Sequence, residues 1–297
     1  LLDERSFLGN NPSADSLRGQ VKRTFKKVTV LAGFMDDLFF RTFAKDHLYS
    51  VCGREREDLL AKVEEARKMV AGLGAEHLSD PELGPIDAKA VSHIEADETF
   101  QMAYAARPHR FSWIDPRKLI SLQVSRQVGD EFVPWGRDPL IDWALPLDWK
   151  VPAEISFVPP CGPIYMTSNN PQLGGFQLAM DKRTGYVTIK PNSQINLIQV
   201  VRFQGRYYLR NGYHRVTAAL ASGISELPVL VAEASHPSEV ELTNLGLAGF
   251  NVRQLMDVKR PPLVGDFNTD ASIVIRMREK RYCLCINLQT TTMNIPV

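Results

Sequence analysis

A chain of 297 residues, 44% hydrophobic and 23% charged, has the composition of a globular protein long enough for two domains or one elaborated domain. Its formal net charge of +1 excludes a wholesale polyanion binder while leaving room for a local basic face. No apolar run reaches transmembrane length, so no membrane partner is expected, and the polar start carries no signal-peptide pattern; Leu1 in place of Met reads as the start of a trimmed product.

Residues 1–108 read as a mainly helical region. Lys22, Arg23, Lys26 and Lys27 beside Phe25 would lie close together on a helix, a geometry able to follow a nucleic-acid backbone; a solvated face is the alternative. Leu31, Phe34, Met35, Leu38 and Phe39 make one apolar stripe at helical spacing. Leu59, Leu60, Val63, Ala66, Met69 and Val70 make another, stopped by Gly72 and Gly74, and the mixed charges around it suit a packing or partner-binding helix. His93, Glu95, Asp97 and Glu98 cluster, but without a Cys-x-x-Cys partner they read as an acidic helix start and not as a metal site.

Residues 109–235 form a central unit. Phe111–Ile114 suits a strand, and Asp115-Pro116 closes it with a carboxylate that could accept a proton or hold a metal, or simply make an Asp-Pro turn. The stretch 126–191 is long enough to be an insertion that covers or reshapes a pocket, and Trp135, Trp143 and Trp149 within it suit core anchors, with a binding wall as the alternative. Phe176–Met180 and Tyr186–Ile189 suit a hairpin, and a turn near Phe203-Gln204-Gly205 pairs Leu197–Val201 with the strand of Arg206, Tyr208 and Arg210. Beyond it, Asn211-Gly212-Tyr213-His214-Arg215 leads into a helix that Gly223 ends, and Leu227–Val231 follows as a buried strand.

That strand, glycine turn and helix form a ready anion site. The first N–H groups of a helix have no intrahelical acceptor and lie at the positive end of the macrodipole. Gly212 allows close backbone approach, and Arg215 can add a guanidinium fork. On spacing alone an ordinary Asn-Gly turn with solvated basic residues is the alternative.

Residues 236–297 suit a short helix from Pro237 to Leu245 and a hairpin of Ile273–Ile275 with Tyr282–Ile286. Cys52, Cys161, Cys283 and Cys285 show no Cys-x-x-Cys pair or zinc spacing, which fits a reducing cytoplasm, and Cys283 and Cys285, on one strand face, read as buried small hydrophobes before a metal or redox pair. Walker A, Gly-x-Ser-x-Gly and His-Glu-x-x-His patterns are absent.

The opening Phe111-Ser112-Trp113-Ile114-Asp115-Pro116-Arg117-Lys118-Leu119 and the later Gly205, Tyr208, Gly212, His214, Arg215, Ala218 and Ala219 resemble the ParB/sulfiredoxin-like superfamily, in which the second segment forms a nucleotide-phosphate loop and its helix. The resemblance implies an α+β fold with a mixed sheet-and-helix centre, and a phosphate or nucleotide site at Arg210, Gly212, Tyr213, His214 and Arg215. It also sets Asp115 beside that site. ATP or CTP with magnesium is the implied cofactor. Tyr213 stands where sulfiredoxins carry their cysteine, and a phenol cannot replace a thiolate, so sulfinic-acid repair is not expected. Tyr213 and His214 also replace the Glu and first Arg of the partition proteins' Gly-Glu-Arg-Arg loop.

Three functions follow as expectations. The first is a nucleotide-binding accessory protein acting on or near DNA, with Lys22, Arg23, Lys26, Lys27 and Arg206 on nucleic acid. The second is a phosphotransferase or nuclease using Asp115 in the same pocket. The third is a module with a decayed site, binding a protein partner through its N-terminal helices or C-terminal hairpin.

Overall fold

The computed structural model describes residues 25–41, 54–73, 79–127, 133–147, 154–157, 164–168, 176–180, 187–191, 196–240, 250, 255–256, 260–278 and 282–286. In chain order the strands are β1 (Phe25–Val30), β2 (Glu82–Pro85), β3 (His109–Ile114), β4 (Ile120–Ser121), β5 (Ser125–Gln127), β6 (Glu154–Phe157), β7 (Ile164–Ser168), β8 (Phe176–Met180), β9 (Val187–Pro191), β10 (Gln199–Phe203), β11 (Arg206–Asn211), β12 (Leu227–Glu233), β13 (Ile273–Arg278) and β14 (Tyr282–Ile286). The helices are α1 (Arg54–Gly72), α2 (Ala88–Glu95), α3 (Glu98–Tyr104), α4 (Arg137–Ala144) and α5 (Tyr213–Ala221). The fold is mixed α+β.

Valine-rich runs generate the centre. β10 and β12 lie side by side and parallel inside a six-stranded sheet of order β2-β3-β12-β10-β11-β4. Both are buried along most of their length, as strands covered on two faces must be. A two-residue turn at Gln204-Gly205, both with positive φ, joins β10 to β11 in an antiparallel pair. α5 then carries the chain back over the sheet to β12 on the other side of β10. The short β4 extends the sheet beside β11, and β5, a few residues on, enters a second sheet of order β13-β1-β5.

Local chemistry sets the helix starts. Asp87 accepts from Lys89 N at 3.0 Å and Asp97 from Phe100 N at 2.9 Å, so each carboxylate satisfies a first-turn donor of α2 or α3. Asp97 and Glu98 are thus an acidic helix start, as expected. α1 buries Val63 and Ala66 and ends at Gly72, also as expected.

Several expectations are corrected. Lys26 and Lys27 lie on a strand, not a helix, because the β-branched run Val28-Thr29-Val30 finds a partner in β13. Neighbouring residues on a strand face opposite sides, so the two lysines separate; Lys22 and Arg23 lie outside the described residues. The stripe from Leu31 to Phe39 is broken by a tight turn at Ala32–Phe34, and Leu38 is 77% exposed. Phe34 and Phe39 instead meet Phe250 edge-on at 6.3 and 6.4 Å. β13 and β14 do not pair as a hairpin: β13 joins β1, and β14 joins β7. Trp135 is no core anchor, at 74% exposed, while Trp143 packs partly buried on the core; Trp149, Cys52 and Cys161 lie outside the described residues. Pro237–Val240 is a short tight turn of helix, and the remainder of the expected helix also falls outside them. The hairpins β8–β9 and β10–β11 form as expected. The three sequence regions share sheets, since β2 belongs to the central sheet and β1 to that of β13.

Candidate phosphate site

The turn between β11 and α5 is held by backbone geometry. Gly212 has φ +95° and ψ +17°, and a Cβ there would lie 2.9 Å from the Ile198 side chain and 3.1 Å from Ile198 Cα. Glycine is required twice over, for conformation and for space. Gly212 N donates to Asn211 Oδ1 at 2.9 Å, and Asn211 Nδ2 reaches Leu197 O and Asn196 Oδ1, each at 3.2 Å, so the turn is tied to the segment entering β10.

Tyr213 is buried, and its phenol is a hub. The hydroxyl donates to Leu209 O at 2.7 Å and accepts from Leu122 N at 2.7 Å and Gln123 N at 3.2 Å. The phenol therefore ties the start of α5 to the link between β4 and β5. His214, on the same first turn, is exposed.

Arg215 is turned inward. Nη1 donates to Ala144 O at 2.8 Å and Trp143 O at 3.2 Å, and Nη2 donates to Asn196 Oδ1 at 3.1 Å and to Asn196 O. A guanidinium at the end of α4 meets the carbonyls that lack intrahelical donors and the negative end of the helix dipole. The local pattern around Arg215 could not have revealed this, because two of its acceptors belong to a helix some 70 residues earlier in the chain and the others to Asn196, 19 residues before it.

Asp115 is likewise committed. Its carboxylate caps the 116–118 turn by accepting from Arg117 N at 3.1 Å, and takes Arg117 Nε and Nη2, each at 2.8 Å. Burial alone would raise its pKa, but the hydrogen bonds and charge of Arg117, with Lys118 behind, hold the carboxyl below the usual carboxylate range. β12 and β10 lie between β3 and β11, so Asp115 is not a sheet neighbour of Gly212; the 116–118 turn reaches α5 from outside the sheet.

Arg206 donates to Leu255 O at 2.7 Å, and half-buried Arg210 places its charge near Tyr104. One residue was missed by sequence reasoning. Gln199 is 7% exposed, sits in register with Asn211, and its Nε2 has no hydrogen-bond acceptor among the described residues. A glutamine heading a strand that continues with Val200 and Val201 is the signal that was available.

A separate ionic network locks the sheet. Glu82 accepts from Arg110 Nε at 3.0 Å, from Arg110 Nη2, and from Tyr207 OH at 2.8 Å; Arg110 Nη1 also donates to Glu233, which Arg202 approaches at 3.4 Å. Burial would raise the Glu82 pKa, yet the Arg110 and Tyr207 hydrogen bonds hold it low. Burial, then the bond to Glu82, pushes the Tyr207 phenol up. These groups staple β2 to β3, β12 and β11.

Among the described residues no group of His, Cys, Asp or Glu side chains could hold a metal ion, and no helix is long and apolar enough to cross a membrane. Comparisons with protein-family models, with curated proteins and with solved structures gave no match to this chain.

Proposed function

We propose that this protein binds a phosphate group, carried by a nucleotide such as ATP or CTP, at the β11–α5 turn, and that it works as a ParB/sulfiredoxin-like accessory factor on or beside nucleic acid. The observation that carries the reading is Gln199. A buried amide donor without an acceptor costs about 1–3 kcal/mol, and it lies in register with the residue before the left-handed Gly212. An acceptor-rich anion at the turn would relieve that cost. The order strand, hairpin, strand, glycine, helix, parallel strand supports the superfamily reading.

Gly212, the first turn of α5, His214 and Gln199 are the groups proposed to meet phosphate, with Arg210 adding charge and Tyr213 and Arg215 holding the turn in shape. The donor set suits phosphate oxygens. It offers no carboxylate cluster for magnesium among the described residues, so magnesium would be held through the nucleotide phosphates. Asp115, ionised and forked by Arg117, favours binding over proton-transfer chemistry.

The test is Gln199→Leu. The variant is expected to unfold no more easily than the parent, since it loses an unsatisfied donor, while binding ATP or CTP roughly 10-fold more weakly by titration calorimetry. A parent protein that binds neither nucleotide nor inorganic phosphate would remove the reading. It would favour the alternative of a protein-interaction module with a decayed site, for which the inward commitment of Arg215 and Tyr213 already speaks.

A further inference from the structure

Two stretches that are basic in sequence stand near opposite ends of the chain, and their described parts, residues 25–27 and 276–278, pair across the β13-β1-β5 sheet. Residues 22–27, Lys-Arg-Thr-Phe-Lys-Lys, carry four cations and no acid; residues 276–281, Arg-Met-Arg-Glu-Lys-Arg, carry four cations and one acid, in a chain of net charge +1. The antiparallel register sets Lys27 directly opposite Arg276 and Phe25 opposite Arg278. Directly opposed residues share a face, with Cβ atoms about 5 Å apart, and like charges so placed repel. Among the described residues neither Lys27 nor Arg276 has a carboxylate partner.

The two faces of this sheet differ sharply. Val28, Val30, Ile273, Ile275 and Met277 are buried on one side, where α1 packs against β13. On the other, Lys27 and Arg276 are exposed, Phe25 is 53% exposed and Val274 is 59% exposed. At the β5 end that outer face is closed: Thr29 is buried, and Arg126 reaches Asn268 Oδ1 at 2.8 Å and lies over the Phe267 ring. The β1–β13 end is open.

We infer that this open face of β1 and β13 binds single-stranded nucleic acid, with Lys27 and Arg276 on phosphates and Phe25 stacking on a base. An exposed cationic pair that has no carboxylate partner among the described residues and stands against its own repulsion fits a polyanion. The exposed ring selects a single strand, whose bases are open to stacking. A lipid surface would more naturally take an amphipathic helix. The inference rests on the proposed function for its class of partner, not for its site, since Gly212 and Gln199 belong to a different sheet.

Fluorescence anisotropy of the full chain with labelled oligo(dT) of roughly 20 nucleotides, and with a duplex of equal length, tests it across a salt series. Oligo(dT) should bind more tightly than duplex and weaken as salt rises. Lys27→Gln with Arg276→Gln should lower affinity at least 10-fold at low salt and flatten the log–log salt slope by about 1.4, two single-strand phosphate contacts. Phe25→Ala should lower affinity roughly 5- to 150-fold with the slope unchanged, so the face is tested even if the double variant does not fold. No binding at low salt, tighter duplex binding, parental behaviour in both variants, or capture by phosphatidylserine vesicles instead of oligo(dT) would each overturn it. Absence of oligo(dT) binding with ATP or CTP binding intact removes this face alone; the opposite result removes the Gly212 site alone.

Discussion

Arg215 and Arg276 read alike in sequence, each a basic residue on a regular element, and the fold treats them in opposite ways. At the start of α5 the side chains expected to meet a ligand are engaged with the protein itself, Arg215 on the α4 carbonyls and Tyr213 on three backbone groups, and Asp115 is likewise taken up by Arg117. On the open β1–β13 face, Lys27 and Arg276 meet across the sheet and have no acidic counterpart among the described residues. What separates them is the partner each finds, not residue type. Substitutions at the turn should be read first in stability, and substitutions on the sheet face first in binding and its salt dependence.

The largest effect is expected at Gly212. Alanine there would take a left-handed conformation that L-residues disfavour and drive its Cβ into Ile198 at 2.9 Å. The combined cost is about 3 kcal/mol, read as a lowered denaturant midpoint with unchanged slope. A parental midpoint would mean that the turn relaxes freely, and the rigid-turn side of the comparison would fail.

Arg215→Ala follows at about 2 kcal/mol of lost stability, because Trp143, Ala144 and Asn196 carbonyls lose charged donors in a partly buried place. Sequence alone would assign this change to phosphate binding with little effect on melting. Arg215→Lys should recover less than half of the loss, a single ammonium being unable to fork across carbonyls on two segments. Melting curves of both variants decide it. Unchanged melting with abolished nucleotide binding would return Arg215 to the ligand and break the contrast.

Glu82 offers a pH test of the inward-committed kind. Its folded pKa is depressed below the unfolded value, so its contribution is fully present above the ordinary carboxylate range and lost as pH falls through the folded pKa. Glu82→Gln should cost about 1 kcal/mol near neutral pH and narrow the gap to the parent as pH drops from about 5 toward about 3. Thermal melts along that series check the sign; a gap that widens in acid would show that Glu82 is not held ionised by Arg110.

Much of the turn was legible because its determinants are local. The Gln204-Gly205 hairpin, the break at Gly212, the end of α5 and strand β12 all lie within about thirty-five consecutive residues, and periodicity with turn chemistry suffices to place them. The direction taken by Arg215 was not legible, since α4 had first to be brought to it. Nor was the β1–β13 pairing, whose members stand at opposite ends of the chain and whose short apolar runs carry no mark of which strand each will choose. The same non-local choice turned Lys26 and Lys27 from a helical cluster into residues on opposite faces, and it separated β13 from β14. Gln199 was visible as a polar residue heading the strand of Val200 and Val201, but that its Nε2 finds no acceptor among the described residues is a property of packing.

The smallest effect carries the other half of the contrast. If the Lys27–Arg276 pair exists for a ligand and not for the fold, Lys27→Gln with Arg276→Gln should leave the protein as stable as the parent or stabilise it by about 0.5 kcal/mol, since a like-charge cross-strand repulsion is removed. The gain should be largest at low salt and vanish where the Debye length falls below the separation of the charges. Parallel melts of parent and double variant in low and high salt measure it. Destabilisation by more than about 1 kcal/mol would mean that these side chains are held by structural partners after all, because surface substitutions without such partners stay within about half that. The two regions would then differ in degree only. Neutrality combined with weakened oligo(dT) binding would leave the cations with one role, outside the protein's own structure.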